Sequence, residues 1–273
     1  MKRRSFAELD AYLRRFEHAH DHCVLPGIHM VARLDGRSFT RLTRETLSFE
    51  APFDEIFRDG MIQTTEHLMR CGFRIIYGYT QSDEISLLFH RDDDNFSRKL
   101  RKLNSILAGE ASAAFSLLMG HHASFDCRIS QLPTPELVAD YCHWRQLDAH
   151  RNALNAHCYW ALRRAGMNAQ SATAQLEGLS VANKNELLFQ HGLNFNDLPI
   201  WQKRGVGLYW VEVEKAGYNP LTGETVLAQR RKLYHDCELP MKREYGLMVN
   251  RLSMEMVGYP SAPRTSSGPE ADR

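Results

Sequence analysis

RLDGRSF (33–39) and YTQSDEISLLF (79–89) are the two stretches that decide the fold. Each places an Asp at the end of an apolar run typical of a strand: Asp35 follows residues 28–34, and Asp83 stands at a bend before residues 85–89. Paired carboxylates at strand ends can bind two Mg²⁺ ions for phosphoryl or nucleotidyl transfer. The alternative is that Asp35-Gly36 and Ser82-Asp83 are ordinary turn dipeptides, in which these residue types are favoured. Spacing alone does not separate the two interpretations.

The segments around these stretches alternate between strand and helix patterns. The strand patterns lie at residues 28–34, 73–79, 84–89 and 123–129, and the helix patterns at about 6–17, 53–70 and 96–118. From residue 28 onward the order is β-α-β-β-α-β, which predicts an α+β fold with an antiparallel, ferredoxin-like sheet and helices on one face. In that fold the first strand lies beside the hairpin, so Asp35 can approach Asp83.

The second half of the sequence is richer in helix patterns. These lie at about 135–166, 170–178 and 180–190, and strand patterns follow at about 205–213 and 224–229. We therefore expect a first region over 1–135 and a helical and hairpin region over 136–240 packed on it. The tail over 258–273 is rich in Pro, Ser and Gly and is predicted to be disordered.

Composition excludes some classes of protein. Among the 273 residues the net charge is only +1, so any polyanion has to be met by local clusters rather than by a global basic field. No run of about 18 apolar residues occurs, which argues against a membrane partner. The six cysteines are scattered without a Cys-x-x-Cys pair, which is typical of reduced thiols and predicts a cytoplasmic protein.

A basic stretch follows the predicted hairpin. Four of the five residues from Arg98 to Lys102 are Arg or Lys, namely Arg98, Lys99, Arg101 and Lys102. Because their helix starts directly after the hairpin, its first turns can lie near the hairpin's open end and offer fixed cations to a triphosphate. The alternative is a solvated helix face.

The segment 143–155 is unusually polar for a helix with a buried face. Trp144, Leu147, Leu154 and Tyr159 are predicted to face the core, which leaves a polar surface of Arg145, Asp148, His150, Arg151, Asn152 and Asn155. Such a surface suits RNA, and Lys184 could contact a phosphate. Composition fits a plain water-exposed helix equally well. A zinc site at His18, His20, His22 and Cys23 is a further alternative, but it lacks a second ligand pair at structural-site spacing.

Five stretches together resemble one protein family. They are RLDGRSF (33–39), QSDEISLLF (81–89), FDCRI (125–129), YCHWRQLDAHRNALN (141–155) and ANKNELLF (182–189). Their order and separations are similar to those of the tRNA-histidine guanylyltransferase family and its bacterial and archaeal tRNA-repair relatives, the 3′-to-5′ polymerases. The resemblance covers about residues 1–210. It implies a palm-like catalytic region over 1–135, a tRNA-contacting region over 136–240, and an assembly of four copies.

The resemblance also implies roles for individual residues. Asp35, Asp83 and the carbonyl of Gly36 would hold two Mg²⁺ ions per active site, with Ser82 beside them. The implied catalytic residues are Asp35, Asp83 and Glu84. The implied nucleotide-binding residues are Arg37, Ser38, Phe39, Ser82, Arg98, Lys99 and Lys102. The expected tRNA-binding residues are Arg145, His150, Asn155 and Lys184.

The implied reaction adds nucleotides to the 5′ end of tRNA. ATP or GTP first activates the 5′-phosphate, and the 3′-hydroxyl of an incoming NTP then displaces the activating nucleotide. The sequence departs from the histidine-specific pattern at Ala51, Arg151 and Ala153, which favours the repair-type branch. The alternatives are a tRNA-His-specific enzyme that adds one G, a nucleotide cyclase on the same palm, and a non-catalytic tRNA-binding protein.

Overall fold

A computed structural model describes residues 4–218 and 225–255. Its strands are β1 (His29–Gly36), β2 (Ile75–Gln81), β3 (Glu84–Phe89), β4 (Phe125–Leu132), β5 (Val206–Tyr218) and β6 (Thr225–Asp236). Its α-helices are α1 (Phe6–His18), α2 (Phe39–Arg41), α3 (Glu55–Arg70), α4 (Leu100–Met119), α5 (Pro135–Arg164), α6 (Ala169–Leu176), α7 (Val181–Gln190), α8 (Ile200–Arg204) and α9 (Lys242–Glu255). The predicted tail 258–273 lies outside the described residues.

The six strands form one antiparallel sheet in the order β4-β1-β3-β2-β5-β6. The predicted pairing of the first strand with the hairpin is confirmed, because β1 pairs with β3 and Asp35 lies opposite Glu84. The second predicted hairpin, β5 and β6, extends this same sheet through the pairing of β2 with β5. The sheet is therefore continuous from one half of the sequence to the other.

Both faces of the sheet are covered by helices, so the predicted helices on one face account for only part of the cover. On one face, Leu34 and Ile85 are buried in a core that includes residues of α3 and α4, as predicted. On the other face, Val31 and Leu88 are buried with Val138 of α5 and with residues of α9, a helix that the sequence patterns did not predict. Neighbouring residues of a strand point to opposite faces, so burial of both sets requires cover on both sides.

Local signals fix where the main helices begin. The Asp54 carboxylate accepts the backbone N–H groups of Ile56 and Phe57 and so caps α3, and the Thr134 hydroxyl caps α5 before Pro135. The predicted start of α4 near residue 96 is wrong, because the helix begins at Leu100. The residues 96–98 have φ angles of 53°, 51° and 56°, a left-handed conformation that ends a short 3-10 turn and interrupts any helix there.

Within the described residues, no helix is long and apolar enough to cross a membrane.

Candidate active site

The two acidic residues meet where β1 ends and the β2–β3 turn begins. The backbone N–H of Gly36 donates to the carbonyl oxygen of Asp83 at 3.0 Å, which ties the two strand ends together. Ser82 adopts a left-handed φ of 49°, which allows the tight turn to point Asp83 towards β1. Asp35 and Asp83 consequently line one open cleft of about 410 Å³. The predicted convergence of the two side chains is confirmed.

The environment of Asp83 favours a bound cation. Partial burial raises the pKa of this carboxyl, and the nearby negative charge of Asp35 raises the pKa further. The Ser82 hydroxyl donates to the Asp83 carboxylate at 3.1 Å and opposes the shift. The two carboxylates repel each other when both are ionised, and a cation between them removes that repulsion.

Glu84 is held by two arginines. Its carboxylate is nearly buried and accepts from the Arg145 guanidinium at 2.9 Å, and Arg33 lies 3.7 Å away. Burial raises the pKa of Glu84, although Arg145 and Arg33 act in the opposite direction. Arg33 also lies 3.6 Å from the Asp35 carboxylate. The Glu84 carboxylate therefore fixes arginines at the edge of the cleft, and its predicted catalytic role stays a prediction.

The orientation predicted for α5 is wrong around residue 145. Arg145 is only 6% exposed, whereas Trp144 is 52% exposed and Leu147 is 46% exposed. The buried stripe of α5 runs through Val138, Cys142, Arg145 and Ala149. This stripe packs on the sheet face that carries Glu84. Arg145 is buried there because its guanidinium pairs with the Glu84 carboxylate, and the Trp144 indole lies outside the stripe. The Arg145 side chain is thus a component of the cleft rather than part of an exposed RNA surface.

The other residues predicted to contact tRNA lie away from the cleft. His150 packs edge-on against Phe195, with 5.2 Å between ring centroids, and its burial lowers the pKa of the imidazole. Asn155 and Lys184 are half-buried on α5 and α7. None of the three lines the cleft or the cavity next to it. Their contacts with tRNA stay predictions.

Phe39 is a core residue that also lines the cavity next to the cleft, and its predicted contact with a nucleotide stays a prediction. It is buried against Phe115 and Phe125, with ring centroids 5.1 Å and 4.9 Å apart. A Cβ at position 36 would overlap the Phe39 ring, so this contact explains why a glycine follows Asp35. Arg37 and Ser38 have exposed side chains beside this turn, and their predicted roles stay open to test.

The basic stretch lies at the far end of β1 from the carboxylates. Arg98 is buried and donates to the carbonyl oxygens of Ile28 and Arg91. Lys99 pairs with Asp21 at 2.9 Å, and Lys102 follows in the first turn of α4. Residue 29 and residue 35 are separated by six residues of strand, roughly 20 Å. The basic stretch lies near the hairpin's open end, as expected, whereas Asp83 is at the hairpin's tip. The predicted contacts of Arg98, Lys99 and Lys102 with a nucleotide stay predictions.

A second cavity, of about 250 Å³, adjoins the cleft at Ser82 and Asp83. Its aromatic lining consists of Phe39, Phe49, Phe53, Phe57, Trp160 and Trp201. The sequence interpretation missed this cavity because its walls come from the segment 39–57, the end of α5 and α8. In the sequence, Phe53 and Phe57 contribute only to the helix pattern over about 53–70. An aromatic cavity joined to an acidic cleft can take a flat ring and the phosphates attached to it.

The donors at the cleft suit a hard divalent cation. The two carboxylates and the Gly36 carbonyl offer only oxygen, which Mg²⁺ and Mn²⁺ prefer. Across residues 4–218 and 225–255, no group of three or more His, Cys, Asp or Glu side chains is arranged to hold a metal ion. The alternative of a zinc cluster at residues 18–23 is therefore not supported, and an ion in the cleft would complete its shell with phosphate oxygens or water.

Comparisons with known proteins agree on one family. A family model described as tRNAHis guanylyltransferase matches residues 10–133, and one described as Thg1 C terminal domain matches residues 136–245. The probable tRNA(His) guanylyltransferase of Drosophila melanogaster is 33% identical over 204 residues, which are 71% of this chain and 70% of that protein. Strand β1 with Asp35, the β2–β3 turn with Asp83, and α5 from residue 136 onward fall inside the matched family ranges.

Solved structures show the same similarity. A bacterial tRNA(HIS) guanylyltransferase (Thg1)-like protein in complex with ATP is 28% identical, with a TM-score of 0.68 over 90% of this chain and 99% of that chain. A bacterial protein of the same description in complex with GTP is 26% identical, with a TM-score of 0.65 and the same coverage. The shared fold thus extends over nearly all of the bacterial chains.

Proposed function

The chain belongs to the tRNAHis guanylyltransferase family and is therefore a nucleotidyltransferase, and we propose that it repairs the 5′ end of tRNA by adding nucleotides in the 3′-to-5′ direction. The observation that carries this proposal is the pair Asp35 and Asp83, which line one cleft beside an aromatic cavity. Similar bacterial proteins bind ATP and GTP. In the proposed arrangement the nucleotide ring enters the aromatic cavity and its phosphates point to the two carboxylates.

The proposal includes dependence on Mg²⁺. Asp35, Asp83 and the Gly36 carbonyl would hold the ions, and the raised pKa of Asp83 supports a site that is incomplete without positive charge. Bound ions would lower the pKa of the attacking hydroxyl and neutralise negative charge on the leaving group. The Arg145 and Arg33 side chains, fixed by Glu84, keep further positive charge at the rim of the cleft where phosphates would lie.

A second candidate function is the addition of a single G to tRNA-His. It is favoured by the curated relatives, which are named tRNA(His) guanylyltransferases. The repair reading is favoured by Ala51, which lines the aromatic cavity where the eukaryotic pattern has a lysine, and by the exposed Arg151. We further propose that the enzyme works as a homotetramer, which light scattering of the purified protein tests.

Primer extension separates the candidates. The assay uses 5′-phosphorylated tRNA-His and tRNAs that lack their first nucleotide, each with Mg²⁺ and one labelled NTP at a time. Repair predicts addition to the truncated tRNAs of the nucleotide that pairs with the opposite strand. Addition of G to tRNA-His alone would select the second candidate. A labelled cyclic product formed from ATP without RNA would reject both in favour of a cyclase.

A further inference from the structure

Trp144 is an exposed indole beside the cleft, with no part in the function proposed above. It precedes Asp148 by four residues and Asn152 by eight on α5, and both of those residues line the cleft. Residues four and eight apart lie on the same side of a helix. Trp144 therefore continues the stripe of α5 that faces the reacting groups.

The indole is held in a fixed position from two sides. The Arg145 guanidinium lies 3.7 Å from its ring centroid, and Tyr141 contacts it edge-on at 5.7 Å. Arg145 is itself bonded to Glu84, the neighbour of Asp83 in sequence. One face of the ring is thus backed by a buried cation, while about half of the side chain stays open to solvent.

We propose that Trp144 is a stacking platform for a nucleobase at the reacting end of the RNA or on an incoming nucleotide. A rigid, exposed indole binds any base through its ring face, so it suits an enzyme that must accept different nucleotides. Arg151 follows Asp148 by three residues on α5, and its exposed side chain pairs with Asp148 at the cleft. There it can contact a phosphate. This inference rests on the proposed function and adds a second base site to the aromatic cavity.

Fluorescence and kinetics of substituted enzymes test this site. Trp144→Ala should raise KM for its substrate on the order of tenfold with kcat changed less than twofold, because stacking contributes to binding. Trp144→Phe should keep most of the affinity. The matched control is Leu147→Ala, which removes an apolar side chain of similar exposure from the same part of α5. Parallel titrations with 5′-phosphorylated tRNA and with free NTP identify which of the two substrates places a base on Trp144.

The fluorescence measurement also works without turnover. Titration of the wild type with substrate should quench emission, and Trp144→Phe should lose the part of the quench that Trp144 contributes, even if its KM is unchanged. Quenching of Trp160 and Trp201, which line the aromatic cavity, should remain in both proteins. Unchanged KM for both substrates in Trp144→Ala, or an equal loss in Leu147→Ala, would overturn the proposal. If the wild type extends no RNA, the proposed function fails, but the quench still reports on Trp144 independently.

Helix α1 presents a separate feature, an apolar face with nothing packed on it. No residue of α1 is buried against the described part of the chain. The apolar side chains on this face, between 37% and 85% exposed, are Phe6, Leu9, Tyr12, Leu13 and Phe16. A helix of 13 residues is marginal by itself in water, so this face requires a partner for full stability.

The charges beside this face match a second copy of α1 in antiparallel orientation. By helical spacing, Glu8 and Arg15 lie on one flank of the face, and Asp10 and Arg14 lie on the other. In an antiparallel pair each flank meets the same flank of its partner, so Glu8 faces Arg15 and Asp10 faces Arg14. Glu17, also on the second flank, meets no base among the described residues of that flank. In a parallel pair, Glu8 would approach Asp10 of the other copy, and bases would approach bases.

We propose that two copies of the chain associate through antiparallel α1 helices in an isologous contact. Sedimentation at several protein concentrations tests this. Leu9→Ser with Leu13→Ser should weaken association at least about tenfold while circular dichroism shows a folded chain, and Leu25→Ser, at an exposed leucine outside α1, should leave association unchanged. Arg14→Glu should also weaken association, and adding Asp10→Arg should restore it by exchanging the two charges. Wild-type association in the double serine variant, or no rescue by the exchange, would overturn the proposal.

Discussion

The two ends of strand β1 use charge in opposite ways. At one end, Asp35 and Asp83 face an open cleft, and the two arginines that line it, Arg33 and Arg145, are positioned by Glu84. At the other end, the Arg98 guanidinium donates to backbone carbonyl oxygens, and Lys99 is paired with Asp21. Both ends look charged and functional in sequence. The difference shows that a charge is available to a substrate only where the surrounding backbone and side chains do not already need it.

The largest expected effect is at the carboxylate end. Asp83→Ala should lower nucleotide addition on the order of 1,000-fold, because it removes a carboxylate that would hold the metal ions against the reacting phosphates. Binding of tRNA, measured by filter retention, should stay within a few-fold. The matched control is Asp126→Ala, since Asp126 lies opposite Asp35 on β4 but is exposed and paired with Arg128. Unchanged turnover in Asp83→Ala would remove the proposed role of this end.

The next effect concerns the arginine that frames the cleft. Arg145→Leu should lower the free energy of unfolding by about 3 kcal/mol near neutral pH, because it leaves the buried Glu84 carboxylate without its main partner. Adding Glu84→Gln should recover much of the loss in urea denaturation. If Arg145→Leu is as stable as the wild type, the Glu84 carboxylate does not depend on Arg145. The burial of Arg145 then needs another explanation.

A third prediction concerns the far end of β1. Arg98→Ala should lower the free energy of unfolding by about 2 kcal/mol, because two carbonyl groups lose a charged donor. KM for NTP should not change in the folded fraction. Lys102→Ala, from the same basic stretch, should change stability by less than about 0.5 kcal/mol. A stable Arg98→Ala protein with a raised KM for NTP would mean that this arginine does meet a phosphate and would erase the contrast between the two ends.

The smallest expected effect is on the pH dependence of stability. The pKa values of Asp83 and Glu84 are raised in the folded chain, so the folded state holds their protons to higher pH than the unfolded state does. Without metal, the contribution of these groups to stability is greatest below their unfolded pKa values and is lost as pH rises through the folded ones. Asp83→Asn should flatten this part of the profile. If the free energy of unfolding rises with pH over this range in both the wild type and Asp83→Asn, the assigned pKa shifts are wrong.

Local patterns were enough to predict the convergence of Asp35 and Asp83. Alternating apolar residues give the strands, and the turn at Ser82 gives the hairpin, so the pairing of β1 with β3 follows from chain order. The burial of Arg145 could not be predicted in this way, because its partner Glu84 lies 61 positions away and on the facing sheet. The same holds for Arg98, whose acceptors become neighbours only after the sheet has formed.

Divalent-ion binding tests the central claim most directly. The full chain is titrated with Mn²⁺ in the presence of ATP, and bound Mn²⁺ is measured by electron paramagnetic resonance. The account predicts that Asp35→Asn and Asp83→Asn each weaken binding by at least about tenfold, while Asp126→Asn leaves it at the wild-type level. Equal Mn²⁺ affinity in all four proteins, or an equal loss in the Asp126 variant, would contradict a metal site built from the two carboxylates at the end of β1.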